Sequence, residues 1–282
     1  MDGRDNEWVR GMRILDRTAE LAHGQDVAYS FAIDELLGRE VGGGGAPICH
    51  LWRHPRAFAI GARDGRLPGA SDAARRLRSA GYSVLVRHSG GAAVPLDAGV
   101  TNVSLVLPID GSRTQNYLAD FEKMFLTIGR ALSFYGIRIA KGEIAGSYCP
   151  GDYDLSVDGL KFCGIAQRRQ LKAMIIQAFV LVEGSGSERA ELVKSFYDEA
   201  AVGAKPDGYP EVRPDTMASL TERAPSGPAS AEEFSAAIVR ALEDLAQPAA
   251  PASLQRFPLH RLDAEAIAGM SRKLRERYPL LS

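Results

Sequence analysis

At 282 residues, 45% of them hydrophobic and 24% charged, the chain has an ordinary globular composition and enough length for one large core or two modest ones. Its formal net charge of −1 leaves no electrostatic footprint for nucleic acid, so no polyanion partner is expected. The longest apolar run, 173–182, is broken by Gln177 and is too short to span a bilayer, and residues 1–7 lack the apolar stretch of a signal peptide, so the expectation is a cytoplasmic protein with no membrane partner. Three cysteines, an odd number in such a chain, read as free thiols rather than a disulfide frame.

Along the chain, Asp26 is placed to cap a helix running to about Leu37, with Ala28, Phe31, Ala32 and Leu36 on one side. Four glycines at 42–45 follow. Neither Lys-Ser nor Lys-Thr comes after them, and Ala46-Pro47 leads into a strand, so they read as a linker rather than a phosphate loop. Residues 48–52 and 57–61 read as a strand pair about His54-Pro55, 72–80 as a helix closed by Gly81, and 83–87 as a strand. That strand leads into Arg87-His88-Ser89-Gly90-Gly91-Ala92-Ala93-Val94, a run with almost no side chain. It is either a tight strand-to-strand bend or a place where a ligand approaches the backbone closely and meets N–H donors. Asp97, Gly99 and Asn102 precede a buried-looking strand at 103–107, and 114–135 carries Leu118, Phe121, Phe125, Ile128 and Leu132 at the spacing of one helical face, closed by Gly136.

Cys149 lies in Gly146-Ser147-Tyr148-Cys149-Pro150-Gly151-Asp152, among turn formers rather than in an apolar run, which makes it a poor core filler. Downstream, Asp158-Gly159 between two alternating runs is the signature of a two-residue type I′ hairpin. That turn pairs Val157 with Leu160, Ser156 with Lys161, Leu155 with Phe162 and Asp154 with Cys163, so that Asp154, Ser156, Lys161 and Cys163 share one face. A lysine there is ordinarily solvated surface. Beside a thiol it has chemical meaning, because an ammonium favours the thiolate and stabilises an acyl oxyanion. Cys163 in Lys-Phe-Cys-Gly-Ile and Cys49 in Pro-Ile-Cys-His-Leu-Trp read as buried small hydrophobes. Arg168, Arg169 and Lys172 form a basic cluster directly after the hairpin, either a solvated face or a docking point for an acidic protein.

Residues 173–182 read as a strand of a central sheet, and Ser187 as the cap of a helix to about Ala200. From Lys205 prolines multiply, which suggests a domain over 1–204 and a loop-rich helical extension over 205–282 packed on it. In that extension Ser230 and Glu233 make a capping box for a helix bearing Phe234, Ile238, Leu242 and Leu245. After Pro248-Ala249-Ala250-Pro251, a last helix from Asp263 presents Ile267, Met270 and Leu274. There is no Walker loop, His-Glu-x-x-His, Cys-x-x-Cys or Gly-x-Ser-x-Gly, and the five histidines are scattered, so neither a metal nor a bound cofactor is expected.

The segments 86–104, 146–156 and 158–169, taken together, resemble the lipoyl and octanoyl transferases of the biotin/lipoate-protein ligase superfamily. The resemblance is nearest to the LipL branch, which moves octanoyl groups from the glycine cleavage H protein to other proteins. It implies an α+β fold with a mixed β-sheet core flanked by helices. It also implies Cys149 as the nucleophile that carries the acyl group as a thioester, and Lys161 as the lysine that hydrogen-bonds the acyl carbonyl. Arg87, Ser89, Gly90, Gly91, Ala92, Ala93 and Gly164 are then expected to line the acyl site, with Arg168 and Arg169 meeting the carrier. The implied donor is octanoylated H protein and the implied acceptor is the lipoyl domain of a 2-oxoacid dehydrogenase E2 subunit. Lipoate ligases generally have three glycines and then a His-Asp pair. Here Ala92 interrupts the glycines and Leu96 precedes Asp97, which argues against ATP-driven adenylation. The short spacing from Cys149 to Tyr153-Asp154-Leu155 favours LipL over the LipM type, which takes its octanoyl group from acyl carrier protein. The remaining alternatives are an ATP-dependent lipoate ligase and a module that binds lipoyl carriers without catalysis.

Overall fold

The computed structural model describes residues 6–21, 26–109, 117–170, 172–247 and 254–280. Its regular elements run β1 (Arg13–Arg17), α1 (Ala28–Gly42), β2 (Ile48–Trp52), β3 (Arg56–Ile60), α2 (Ala70–Ser79), β4 (Ser83–Val86), β5 (Val94–Asp97), β6 (Val100–Pro108) and α3 (Tyr117–Ser133). They continue with β7 (Ala140–Lys141), β8 (Leu155–Val157), β9 (Leu160–Arg169), β10 (Ala173–Leu181), α4 (Gly186–Ala200), α5 (Leu220–Arg223), α6 (Ala231–Leu245), β11 (Gln255–Arg256) and α7 (Ala264–Arg277). The start of the expected 114–135 helix and the 248–251 linker lie outside the described residues.

Eight strands form one mixed sheet in the order β11-β1-β2-β6-β10-β9-β8-β7, and β4-β3-β5 form a second, three-stranded sheet. The fold class is therefore the expected α+β, a mixed sheet with helices against it. The expected pairing of residues 48–52 with 57–61 does not occur. β2 joins the large sheet between β1 and β6, whereas β3 crosses to the small sheet and pairs with β4 and β5. The turn at 53–55 thus changes sheets instead of closing a hairpin.

β10 shows why its sequence is apolar apart from Gln177: both its faces are covered. Met174, Ile176, Ala178 and Val180 pack with Met124 and Ile128 of α3 and Phe234, Ile238 and Leu242 of α6. On the opposite face, Ala173 and Ile175 pack with Ile33 and Leu37 of α1 and Ile267, Met270 and Leu274 of α7. Farther along that face, Phe179 and Leu181 meet the small sheet with its helices α2 and α4. Residues beyond 204 belong to these same cores, and β11 adds a parallel strand beside β1.

Local details depart from expectation for identifiable reasons. α1 runs to Gly42, beyond Leu37, because Val41 is buried with Ile48. α4 is capped by Ser185, whose hydroxyl accepts from the Glu188 N–H, and Ser187 lies inside the helix. At α6, Ser230 accepts from the Glu233 N–H, but the Glu233 carboxylate accepts from the Ala229 N–H; a complete capping box forms instead at Ser219 and Glu222 on α5.

Candidate active site

The site is assembled where the β8–β9 hairpin, the loop after β4 and the 144–154 loop meet. The turn is of the expected kind, with φ of 50° at Asp158 and 78° at Gly159. Val157 pairs with Leu160 and Ser156 with Lys161, as expected. One step further Leu155 pairs with Cys163, not Phe162, because Phe162 is an extra residue in a bulge. The bulge lets Leu155, Phe162 and Cys163 all enter the core under α3 and α6, and Asp154 no longer opposes Cys163.

Lys161 is fully buried, not on a solvated face. Its Nζ donates to the carbonyls of Tyr148 and Cys149, both at 2.7 Å, and pairs with the Asp154 carboxylate at 2.9 Å. An ammonium has three protons, so these partners, with Ser147 Oγ at 3.3 Å, use its donors in holding the 147–149 loop. Burial raises the Asp154 carboxyl from its ordinary range, and the Lys161 charge opposes that.

Cys149 adopts φ of 49°, a left-handed conformation that is uncommon for a residue with a side chain and is sustained only when its surroundings fix it. Here Lys161 does so. The cation in contact with sulfur is instead Arg87, whose Nη2 donates to Cys149 Sγ at 3.1 Å and to the Ala92 carbonyl at 2.7 Å. Gly91, at φ of 90°, makes room for this pair: a Cβ there would stand 2.7 Å from the sulfur. Ala93 donates its N–H to Tyr197 Oη at 3.2 Å, and Tyr197 donates to Asp64 at 3.0 Å, which anchors the small-residue run to α4. A Cβ on Gly90 would meet nothing. Burial pushes the Cys49 and Cys163 thiols up, which keeps them protonated and fits their expected role as core residues.

A cavity opens at the sulfur, walled by Phe31, Trp52, Val94, Leu96 and Phe179. Gly164 belongs to its wall and is small for a reason, since a Cβ there would lie 2.5 Å from the Phe179 ring, its cross-strand neighbour on β10. Ser104 and Gln177 of its wall belong to a polar cluster that the sequence did not disclose. His50, Ser104 and Gln177 are register neighbours across β2, β6 and β10, and all three bond the buried Asp34 carboxylate of α1, at 2.8, 2.7 and 2.6 Å. Only the sheet order brings them together. Among the described residues, Arg87 Nε, Trp52 Nε1 and Ser89 Oγ are buried without a hydrogen-bond partner. Arg87 and Trp52 line this cavity and Ser89 lines a narrow one beside it. Unpaired polar atoms of this kind cost about 1–3 kcal/mol each, and mark where a ligand's polar atoms fit.

Arg168 and Arg169 are not a free basic face. Arg168 pairs with Glu35 on α1 and reaches the His88 carbonyl at 3.4 Å, while Arg169 bonds Asp120 on α3 at 2.5 Å. No group of three potential metal ligands occurs among the described residues.

The lipoyl protein ligase A/B catalytic domain matches residues 26–243. An octanoyl-[GcvH]:protein N-octanoyltransferase of Geobacillus kaustophilus is 45% identical over 202 residues, 70% of each chain. The chain belongs to the lipoyl protein ligase A/B family. A second relative of the same name, from Exiguobacterium sibiricum, is 40% identical over 250 residues, 88% of this chain and 90% of its own. Lipoate-protein ligase A with bound ATP superposes with a TM-score of 0.66 at 20% identity, covering 95% of this chain and 94% of that one, a likeness of fold. Within this lipoyl protein ligase A/B domain, Cys149, Arg87, Gly91 and Lys161 all fall in the matched span.

Proposed function

We propose that this protein is an octanoyltransferase. It takes an octanoyl group from the lysine of the H protein of glycine cleavage onto Cys149 and hands it to the lysine of a lipoyl domain in a 2-oxoacid dehydrogenase E2 subunit. The observation that carries this reading is the contact of Arg87 with the sulfur at the mouth of an apolar cavity. Relatives at 45% and 40% identity named as octanoyl-[GcvH]:protein N-octanoyltransferases support the choice of acyl group and donor.

In the first half-reaction the Cys149 sulfur attacks the carbonyl carbon of the octanoyl-lysine amide. A C–S bond forms, the C–N bond breaks, and the thiol proton ends on the departing lysine amine. In the second, the amine of the acceptor lysine attacks the thioester and a proton returns to sulfur. The Arg87 Nη2 contact orients the sulfur, and the Arg87 Nε–H, which has no protein partner, is free to donate to the oxyanion as charge develops. Lys161 is assigned a positioning role: it holds the Tyr148 and Cys149 carbonyls and thereby aims the sulfur. Burial of the chain supplies about 0.8 kcal/mol per CH₂. Because donor and product are both octanoyl-lysine amides, the exchange needs neither ATP nor a cofactor.

The test is transfer from octanoylated H protein to an apo lipoyl domain, followed by intact mass. The expected result is stoichiometric gain by the acceptor and loss by the donor without nucleotide. Modification that requires ATP and free octanoate or lipoate would establish a ligase instead.

A further inference from the structure

A cleft of about 610 Å³ lies between α1 and α7. Exposed Arg39, Lys172, Lys273 and Arg277 stand along it and have no carboxylate partner among the described residues. The one acidic side chain in its lining, Glu35, is committed to Arg168 and to Gln170, whose Nε2 donates at 3.1 Å. The cleft is thus a concentration of unneutralised positive charge on a chain whose formal net charge is −1, which is the arrangement that selects a partner by electrostatic complementarity.

The cleft adjoins smaller cavities that step toward Cys149. Glu35, His88, Arg168 and Leu274 line both it and a narrow cavity, and that cavity in turn shares Phe31 and Gln177 with the cavity at Cys149. This line of cavities is closed under the C-terminal helix, where His88 Nε2 donates to the Leu274 carbonyl at 2.8 Å and the His88 ring meets Tyr278 edge-on at 4.9 Å. A cysteine only 7% exposed needs a way in to be opened if its substrate is a side chain on another protein. The unpaired Ser89 Oγ lies on the wall of the narrow cavity, placed for the amide of an arm passing through.

We propose that this cleft is the docking surface for the carrier protein, that the carrier presents a carboxylate-rich face to Lys273, Arg277, Lys172 and Arg39, and that its acyl-lysine reaches Cys149 by displacing the hydrogen bond between His88 and the Leu274 carbonyl. The proposal rests on the transfer reading above and adds the partner's surface chemistry and a role for α7, which forms one wall of the entrance.

The experiment compares full-length wild type with K273E/R277E on α7 and R39E/K172E on the opposite wall, all exposed positions. Transfer from octanoylated H protein is measured as a function of donor concentration at low and high salt. Acylation of Cys149 by p-nitrophenyl octanoate, which needs no carrier, is measured alongside. The expected result is a KM for the carrier raised at least tenfold in each double variant, a flatter salt dependence than wild type, and an ester burst within twofold of wild type. A carrier KM within twofold of wild type in both variants, with the salt dependence retained, would overturn the docking surface while leaving the transfer reading intact. Absence of any transfer or ester burst in wild type would overturn the transfer reading, and the docking surface with it.

Discussion

Cys149 holds a left-handed backbone in a nearly buried loop, and its carbonyl is held by one fully buried ammonium. Replacing Lys161 with Met leaves Asp154 as an unpaired buried carboxylate and strips two loop carbonyls of their donor. Breaking a buried pair in this way costs about 3–5 kcal/mol, so urea unfolding of Lys161→Met is expected to show a loss of that size. Gly91→Ala separates chemistry from stability. Its positive φ predicts a cost of about 1–2 kcal/mol, but its methyl would intrude on the contact of Arg87 with the sulfur, so acylation of Cys149 is expected to slow at least tenfold in a protein that still folds. At this scale the sequence disclosed Cys149 through its turn-forming neighbours, and the hairpin turn through Asp158-Gly159. It did not disclose that Lys161 is buried, because its partners come from the 147–154 loop and a bulge at Phe162 decides which way they face. Nor could it show that the cation on sulfur is Arg87, 62 residues away along the chain.

Helices are held to the sheets by apolar stripes and fastened by specific ion pairs, and α7 illustrates both. Ile267, Met270 and Leu274 were legible as its buried face at helical spacing. Its fastening was not, since Arg275 bonds Asp26 at 2.7 Å and the Val84 carbonyl at 3.0 Å, partners from remote segments. Partial burial raises the Asp26 carboxyl, but Arg275 and the Ala28 N–H more than offset this and hold it below its ordinary value. A carboxylate with a depressed folded-state pKa stabilises the fold above its unfolded pKa, and that contribution is lost as pH falls through the folded value. Protection factors of α7 amides in hydrogen exchange are therefore expected to drop below about pH 4 in wild type, and to be lower and flat across that window in Asp26→Asn. Strand existence was also legible, from β10 above all. Partner choice was not: alternation locates β2 and β3 equally well, but only tertiary packing sends one to each sheet.

At the scale of the whole molecule, segments beyond 204 share a core with those before it. Phe257, Ile267, Met270 and Leu274 sit in the same core as Ile33, Leu37 and Ile175. Burying one such side chain contributes about 1.5–3 kcal/mol, so four approach the entire stability of a typical domain, about 5–15 kcal/mol. A chain ending at Ala204 is expected to lack a cooperative thermal transition, whereas the full chain should show one. Proline density marked the extension as irregular, but composition carries no record of which core a distant helix enters. The hairpin, the small-residue run and α4 fix the position of the Cys149 sulfur, and α1 and α7 flank the cleft proposed as the carrier's docking surface. Intact mass spectrometry of the protein mixed with octanoylated H protein tests this account most directly. The prediction is an octanoyl adduct on wild type that hydroxylamine removes and that Cys149→Ala does not form; an adduct of equal yield on Cys149→Ala would contradict it.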